Sequence, residues 1–489
     1  MPWIRHHRPA PAGKAALHRQ SALQCQPAPQ RPAARRPAAA LRICAALLLF
    51  PLGGCQATAQ LVGKPPTPGP LPPGIELVFN HNPLQHYRSP ISGQWRAGDD
   101  LEALILRGIN SAQREILVAV QELSLPKVAE ALARRQSEGV TVRVILENTY
   151  SRPWSQEHPA DLTPHQRLRN AQLQKLGWGD AVAIMQQAHV PMIDDTADGS
   201  KGSGLMHHKF MVIDRREVIT GSANFTPSCV HGDPDDPTTL GNVNHLLSFQ
   251  SPALAELFAA EFDRMWGDGP GGAADSQFGL GKQEGPLQVV QIGETTIGVL
   301  FAPHPRRDDN NGLAVIDNLL SETHRSLDMA LFVLSEQRLA DTMATLQQNG
   351  VKIRLLADPG FANRSFSEVL DLLGTGMPDR HCMLEAGNKP WQQPLAGVGT
   401  PRLPRGDKLH HKLAIIDDER VISGSFNWSP SASFQNDETL LVIDSPLLAR
   451  HFKAEINQLW KTAELGISPR LARKQLRQQQ KCGRGQQRS

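Results

Sequence analysis

The chain has 489 residues, room for two or three domains and a large core, in a globular composition carrying 40 Gly and 38 Pro. Its formal charge of +3 is unevenly placed: residues 1–54 hold eight Lys/Arg and no acid, residues 461–489 hold eight Lys/Arg against Glu464 alone, and residues 55–460 hold 35 Lys/Arg against 47 Asp/Glu. A body that acidic is a poor general trap for nucleic acid, and the six Cys show neither a disulfide framework nor zinc spacing.

Residues 1–42 are basic and rich in Ala, Pro and Arg, and lead into a short apolar run, Ile43 to Leu52. That run is too short to cross a bilayer as a helix. With its basic flank and small residues it reads as a signal sequence over 1–54. The ending Leu52-Gly53-Gly54-Cys55 resembles the bacterial lipoprotein box, which implies lipidation of Cys55 and an anchored, extracytoplasmic protein. Residues 55–74 contain PPTPGPLPPG, a stiff extended spacer.

From Ile75 onward the chain repeats itself. Ile116–Ser124 aligns with Leu327–Ser335, and Gly139–Glu147 with Gly350–Asp358, both offset by 211 residues. Helix-like stretches precede and separate these apolar strands. Ser251–Trp266 aligns with Ser445–Trp460 at an offset of 194 as amphipathic closing helices, whose Trp266 and Trp460 read as core. The last fall in offset, nine residues, matches an acidic insert from His231 to Thr239, a candidate rim to any site nearby. The alternation of helix and strand predicts two α/β halves, 75–268 and 289–460, each a mixed, mostly parallel sheet flanked by helices. A Gly-rich linker, 269–288, joins them, and 461–489 is a basic tail. Trp154, Trp178 and Trp391 fall in the divergent segments 151–206 and 359–409, where packing and ligand contact are both open readings.

One stretch within the repeat carries chemistry. His207–Asn224 and His410–Asn427 share a single pattern: H-x-K, four residues, Asp, six residues, G-S-x-N. The apolar runs Phe210–Ile213 and Leu413–Ile416 read as buried strands. Residues i and i+2 of a strand share a face, so His207 points with Lys209 and His410 with Lys412, while His208 and His411 point away. Gly221 and Gly424 suit tight turns that return Ser222, Asn224, Ser425 and Asn427 to the same place. An imidazole, an ammonium and an amide aimed at one point suit a phosphate.

This doubled pattern resembles the phospholipase D superfamily. The resemblance covers nearly all of 75–460 and implies a pseudo-twofold, with one active site between the halves. It implies that one His attacks phosphorus to give a phosphohistidine while the other protonates the leaving oxygen. Lys209, Lys412, Asn224 and Asn427 would hold the nonbridging oxygens, with Ser222 and Ser425 as supporting donors. Asp214 and Asp417 belong to the family's catalytic pattern, although their odd spacing from Lys reads them as structural partners. No metal or other cofactor is implied. An acid after each GSxN often orients a His across the pseudo-twofold. Here the second half has Glu438, but the matching residue of the first half is Asn244. Crossed pairing would set Glu438 on His207, the nucleophile, and Asn244 on His410, the general acid. The substrate is left open by the motifs. Hydrolysis of a phospholipid headgroup ester is the first reading, with a membrane surface met through the lipid anchor and basic tail, and a monomer is expected. An extracytoplasmic nuclease is the alternative. A cardiolipin synthase-like transferase and a non-catalytic phosphate-binding lipoprotein are weaker readings.

Overall fold

The computed structural model describes residues 68–487 except 201, 234, 235, 237 and 484. The expected signal sequence, Cys55 and most of the spacer lie outside the described residues.

The first half builds a seven-stranded sheet from β1 (Ile75–Phe79), β2 (Glu115–Val120), β3 (Thr141–Leu146), β4 (Met192–Asp194), β5 (Lys209–Ile213), β6 (Glu217–Gly221) and β7 (His245–Gln250), in the spatial order β1-β7-β6-β5-β2-β3-β4. The second half has nine strands: β8 (Gln288–Ile292), β9 (Thr295–Ala302), β10 (Ser326–Leu331), β11 (Lys352–Ala357), β12 (Val398–Thr400), β13 (Lys412–Ile416), β14 (Arg420–Gly424), β15 (Glu438–Asp444) and β16 (Glu464–Leu465). Their order, β8-β9-β15-β14-β13-β10-β11-β12-β16, contains the first sheet's pattern with an added strand at each edge. The sequence-predicted duplication is thus visible strand by strand.

The sheets are mixed α/β, but mostly antiparallel rather than mostly parallel. Only β2/β3 and β3/β4 in the first sheet, and β10/β11 and β11/β12 in the second, run parallel. Helix and strand alternate through the first part of each half, by way of α1 (Leu101–Ser111) and α2 (Pro126–Ser137) and of α3 (Gly312–Ser321) and α4 (Gln337–Gln348). After that the motif makes its own hairpin. Asp214 and Arg215 sit at φ 50° and 51°, Asp417 and Asp418 at 53° and 62°, and each turn closes in four residues. Two successive positive φ values form the type I′ turn whose twist matches a hairpin, and Asp tolerates that conformation. A strand that returns in four residues must pair antiparallel.

Helices α5 (Pro252–Trp266) and α6 (Pro446–Trp460) close the halves. Ser251 and Ser445 cap them, each followed by Pro at the first helical position. Their apolar faces and the inner faces of both sheets share one core. Phe258 on α5 lies edge-on to Phe210 of the first sheet at 5.0 Å and to Phe301 of the second at 5.3 Å. The remaining helices cover the outer faces with a separate core in each half. Trp266 and Trp391 are buried. Trp178 packs on the first half's outer core and donates to the Ser124 carbonyl at 3.0 Å. The linker is not a loose spacer, because Lys282 is buried between α5 and the second half and pairs with Glu261, with Glu284 at 3.1 Å and with Asp437 at 2.9 Å.

Candidate active site

The two motifs meet where the sheets abut. Met206 pairs with Asp437 and Val243 with Leu409, so the residues just before each HxK dock beside the chain that follows the other half's GSxN. His207 N donates to Asp437 O at 2.9 Å and His410 N to Val243 O at 3.1 Å. Each motif is therefore held by the backbone of the opposite half.

His207 Nδ1 lies 2.7 Å from Glu438 Oε2, and His410 Nδ1 lies 3.0 Å from Asn244 Oδ1. Both contacts cross the pseudo-twofold. The amide of Asn244 is fixed, since its Nδ2 donates to the carbonyls of Cys229 and Asn242, both at 3.0 Å. Its oxygen consequently faces His410, so His410 carries its proton on Nδ1 and presents Nε2 to the site. That Nε2 is buried with no hydrogen-bond partner. Glu438 likewise accepts from Asn436 Nδ2 at 3.1 Å and from Ser425 Oγ at 2.6 Å.

His207, Lys209, His410 and Lys412 are all buried, and each ammonium donates to the carbonyl of its own motif's histidine, Lys209 at 2.7 Å and Lys412 at 2.8 Å. Burial, then the two ammonium groups, hold both imidazoles well below their ordinary range. Burial lowers Lys209 to about 7, and burial with the neighbouring Lys209 charge pulls Lys412 well down. Burial raises Glu438 to about 7, opposed by Lys209. Two crowded cations short of counter-charge make a site that an anion would relieve.

Three sequence expectations need correction. Asp214 and Asp417, grouped with the catalytic residues by the family pattern, lie apart from them as the structural partners that their spacing implied. Asp214 occupies the hairpin turn and accepts from the backbone N–H groups of Gln113, Arg114 and Glu115 at 2.7, 2.7 and 2.9 Å, and Asp417 does the same for His324, Arg325 and Ser326. Those bonds hold both carboxyls below the usual range against the opposing effect of burial. Ser222 and Ser425 do not aim at a phosphate either. Their hydroxyls donate to Asn244 at 2.8 Å and Glu438 at 2.6 Å, fixing the groups that orient the histidines. Gly221 and Gly424 end strands rather than form turns. A Cβ there would lie 2.4 Å from His245 O and 2.3 Å from Thr439 O, so close backbone approach requires glycine. Asn224 donates to Gln121 Oε1 at 3.2 Å, and the buried Asn427 Oδ1 has no hydrogen-bond partner.

The away-facing histidines cross too: His208 Nδ1 lies 2.8 Å from Thr439 Oγ1 and its Nε2 2.9 Å from Glu261, while His411 Nδ1 lies 3.0 Å from His245 Nδ1. The insert's His231 is buried between Glu102 and Tyr87, both at 2.9 Å, and Leu240 N donates to Asp407 at 2.9 Å just ahead of His410. Among the described residues no cluster of His, Cys, Asp and Glu could hold a metal ion. Sequence reasoning missed Gln121 and Phe332, which share one position of the 211-residue repeat. Phe332 lies 4.7 Å edge-on to His410 with the Lys412 Nζ 4.9 Å from its ring centre. The aligned strands end VQELS and LFVLS, so that difference was open to inspection. Lys282 left no comparable signal in the linker.

The profile of the family described as "Cardiolipin synthase, PLD-like domain" matches residues 105–266 and 316–460, more than half of the chain. The chain belongs to this PLD-like family. A mitochondrial cardiolipin hydrolase of Danio rerio is 26% identical over 162 residues, which is 33% of this chain and 62% of that protein. A phospholipase D of Rickettsia prowazekii (strain Madrid E) is 27% identical over 133 residues, 27% of this chain and 55% of that one. The matches thus span little more than half the length of these curated relatives. The crystal structure of a phosphatidylserine synthase of Haemophilus influenzae Rd KW20 has the same fold, with a TM-score of 0.50 at 14% identity over 80% of this chain and 87% of that chain.

Proposed function

We propose that this PLD-like protein is a phospholipase D-type phosphodiesterase that hydrolyses the headgroup ester of a phospholipid to phosphatidate. The observation that carries the reading is the crossed pair of contacts, Glu438 on His207 and Asn244 on His410, above two buried ammonium groups. His207 Nε2 attacks phosphorus as the bond to the headgroup oxygen breaks, and His410, which enters the step as the imidazolium with a second proton on Nε2 taken up beside the anionic substrate, gives that oxygen the Nε2 proton. His410 then takes a proton from water, the water oxygen attacks phosphorus, and the phosphorus–nitrogen bond breaks. The Glu438 carboxylate holds His207 in the tautomer with its proton on Nδ1, so that Nε2 carries the attacking lone pair, and balances the charge that attack creates. The Asn244 amide orients His410 without a counter-charge, which suits a group that must give up its proton. Lys209 and Lys412 hold the nonbridging oxygens, where transition-state charge is spread.

The phospholipid preference is supported by the named activities of the sequence relatives and by the acidic body of the chain. A lipid on Cys55 would hold the enzyme on the outer side of a membrane. Labelled fatty acid should enter the native chain but not Cys55→Ser, and an intact 1–54 segment on the cellular protein would refute this. The substrate test is a side-by-side assay on mixed phospholipid vesicles and on single- and double-stranded DNA, with and without chelator. Headgroup release that survives the chelator is expected. Cleavage of DNA alone would replace the substrate by the nuclease alternative, and strict dependence on a divalent ion would refute the mechanism.

A further inference from the structure

The basic tail is folded. Ser468 caps a helix, α7 (Pro469–Cys482), by accepting from Leu471 N at 3.1 Å. Leu471 is buried, Lys474 donates to the Asn363 carbonyl at 2.6 Å, and Gln475 donates to Thr375 at 2.7 Å. A Cys382–Cys482 disulfide fastens the far end, and Met383 pairs with Gln486 beyond it.

On this clamped helix Arg470, Arg473, Arg477 and Lys481 recur at intervals of three or four and are all exposed, so they form one stripe. The helix contains no acid. Leu476, and Leu465 and Ile467 just before the helix, are exposed large apolar side chains. The helix reaches the site only through intervening residues, starting from the Lys474 contact to Asn363. Asn363 follows Phe361, whose ring lies 4.5 Å from that of Phe332, which in turn packs on His410 at 4.7 Å.

We infer that α7 is a docking helix for an anionic bilayer and that it brings the His410 side of the site to the lipid surface. A bilayer is a plane and meets one face of the protein, so charge on the other faces does not oppose the stripe. Basic side chains reach anionic headgroups while Leu465, Ile467 and Leu476 enter the boundary between headgroups and chains. A single-stranded nucleic acid would be better served by aromatic platforms than by Leu and Ile beside the charges. The inference concerns binding and is tested without turnover.

The full chain is sedimented with vesicles of phosphatidylcholine alone and with vesicles containing about one third phosphatidylglycerol, at low and high salt. A lipid on Cys55 would bind both vesicle types alike and cancels in the comparison. Binding should rise with the anionic lipid and fall with salt. Replacing Arg470, Arg473, Arg477 and Lys481 by Gln should remove on the order of 100-fold of it. Changing Arg470, Arg473 and Arg477 to Lys, with Lys481 kept, should preserve it, and Leu476→Ser should lose a few-fold. An unchanged melting temperature in the Gln variant checks that the exposed stripe was altered alone. Equal binding to both vesicle types would overturn the inference, as would an unchanged Gln variant or stripe-dependent binding to single-stranded DNA without binding to anionic vesicles.

Discussion

The two halves are near copies in backbone and unlike in chemistry. Each sends a histidine and a lysine from the start of one strand, turns through an Asp in the left-handed region, and returns a G-S-x-N to the same place. At the positions that touch the histidines the copies diverge: Glu438 against Asn244, and Phe332 against Gln121. A duplicated fold can thus bring two identical groups together, and one carboxylate can then make them unequal. In this account the second half orients the nucleophile of the first, and the first orients the acid of the second.

The largest effect should come from His207→Ala, which removes the attacking atom and should lower turnover by about 10⁴-fold or more. His410→Ala should cost about 10²–10⁴-fold on a headgroup alcohol and much less on a phenolate leaving group. Equal losses on both substrates would contradict the division of roles. Lys209→Met and Lys412→Met should each cost about 10²–10³-fold in turnover. Each should nevertheless leave the unliganded protein as stable or more stable in a urea melt, because a crowded buried cation is gone.

Glu438→Gln should slow formation of the covalent intermediate on the order of 10²-fold, against about tenfold for Asn244→Ala. Glu438 lies near 7, raised by burial, so it protonates and loses its charge as pH falls below about 7. Lys209, lowered to about 7 by burial, loses its charge as pH rises above it. A bell-shaped kcat/KM near neutrality is expected, and Glu438→Gln should erase its acid limb. The stability signs follow from proton linkage. Lys209 binds fewer protons folded than unfolded between about 7 and 10.5, so its contribution worsens as pH falls through that window. Glu438 binds more protons folded between 4.5 and about 7, so its contribution worsens as pH rises there. Inorganic phosphate should therefore raise the melting temperature at neutral pH in the native protein and less in Lys209→Met. The smallest effect on catalysis is expected for Asp214→Ala, which should leave kcat within a few-fold yet lower stability by about 1–3 kcal/mol through the lost backbone bonds.

The duplication, the strands and the histidine–lysine pairs were legible because each is a local pattern or a fixed offset. The crossed contacts were expected only from the family resemblance; the repeat itself shows that Glu438 and Asn244 occupy equal positions with unequal chemistry. Mostly antiparallel pairing was not, because it depends on Asp214-Arg215 and Asp417-Asp418 adopting positive φ, which Asp permits without requiring. The work of Ser222 and Ser425 was hidden as well, since a hydroxyl beside a phosphate site can serve the phosphate or the groups around it, and only geometry chooses. The fold of the basic tail was not legible because its anchors, Asn363, Thr375 and Cys382, lie about a hundred residues away.

The central claim, that the histidines are unequal and His207 is the nucleophile, is tested most directly by trapping the intermediate. His410→Ala is mixed with a phosphodiester bearing a very good leaving group, quenched within the first turnover, and mapped for phosphohistidine. Phosphate on His207, with none trapped in His207→Ala, is the expected result. Phosphate on His410 in His207→Ala, with none on His207 in His410→Ala, would reverse the roles and contradict the account.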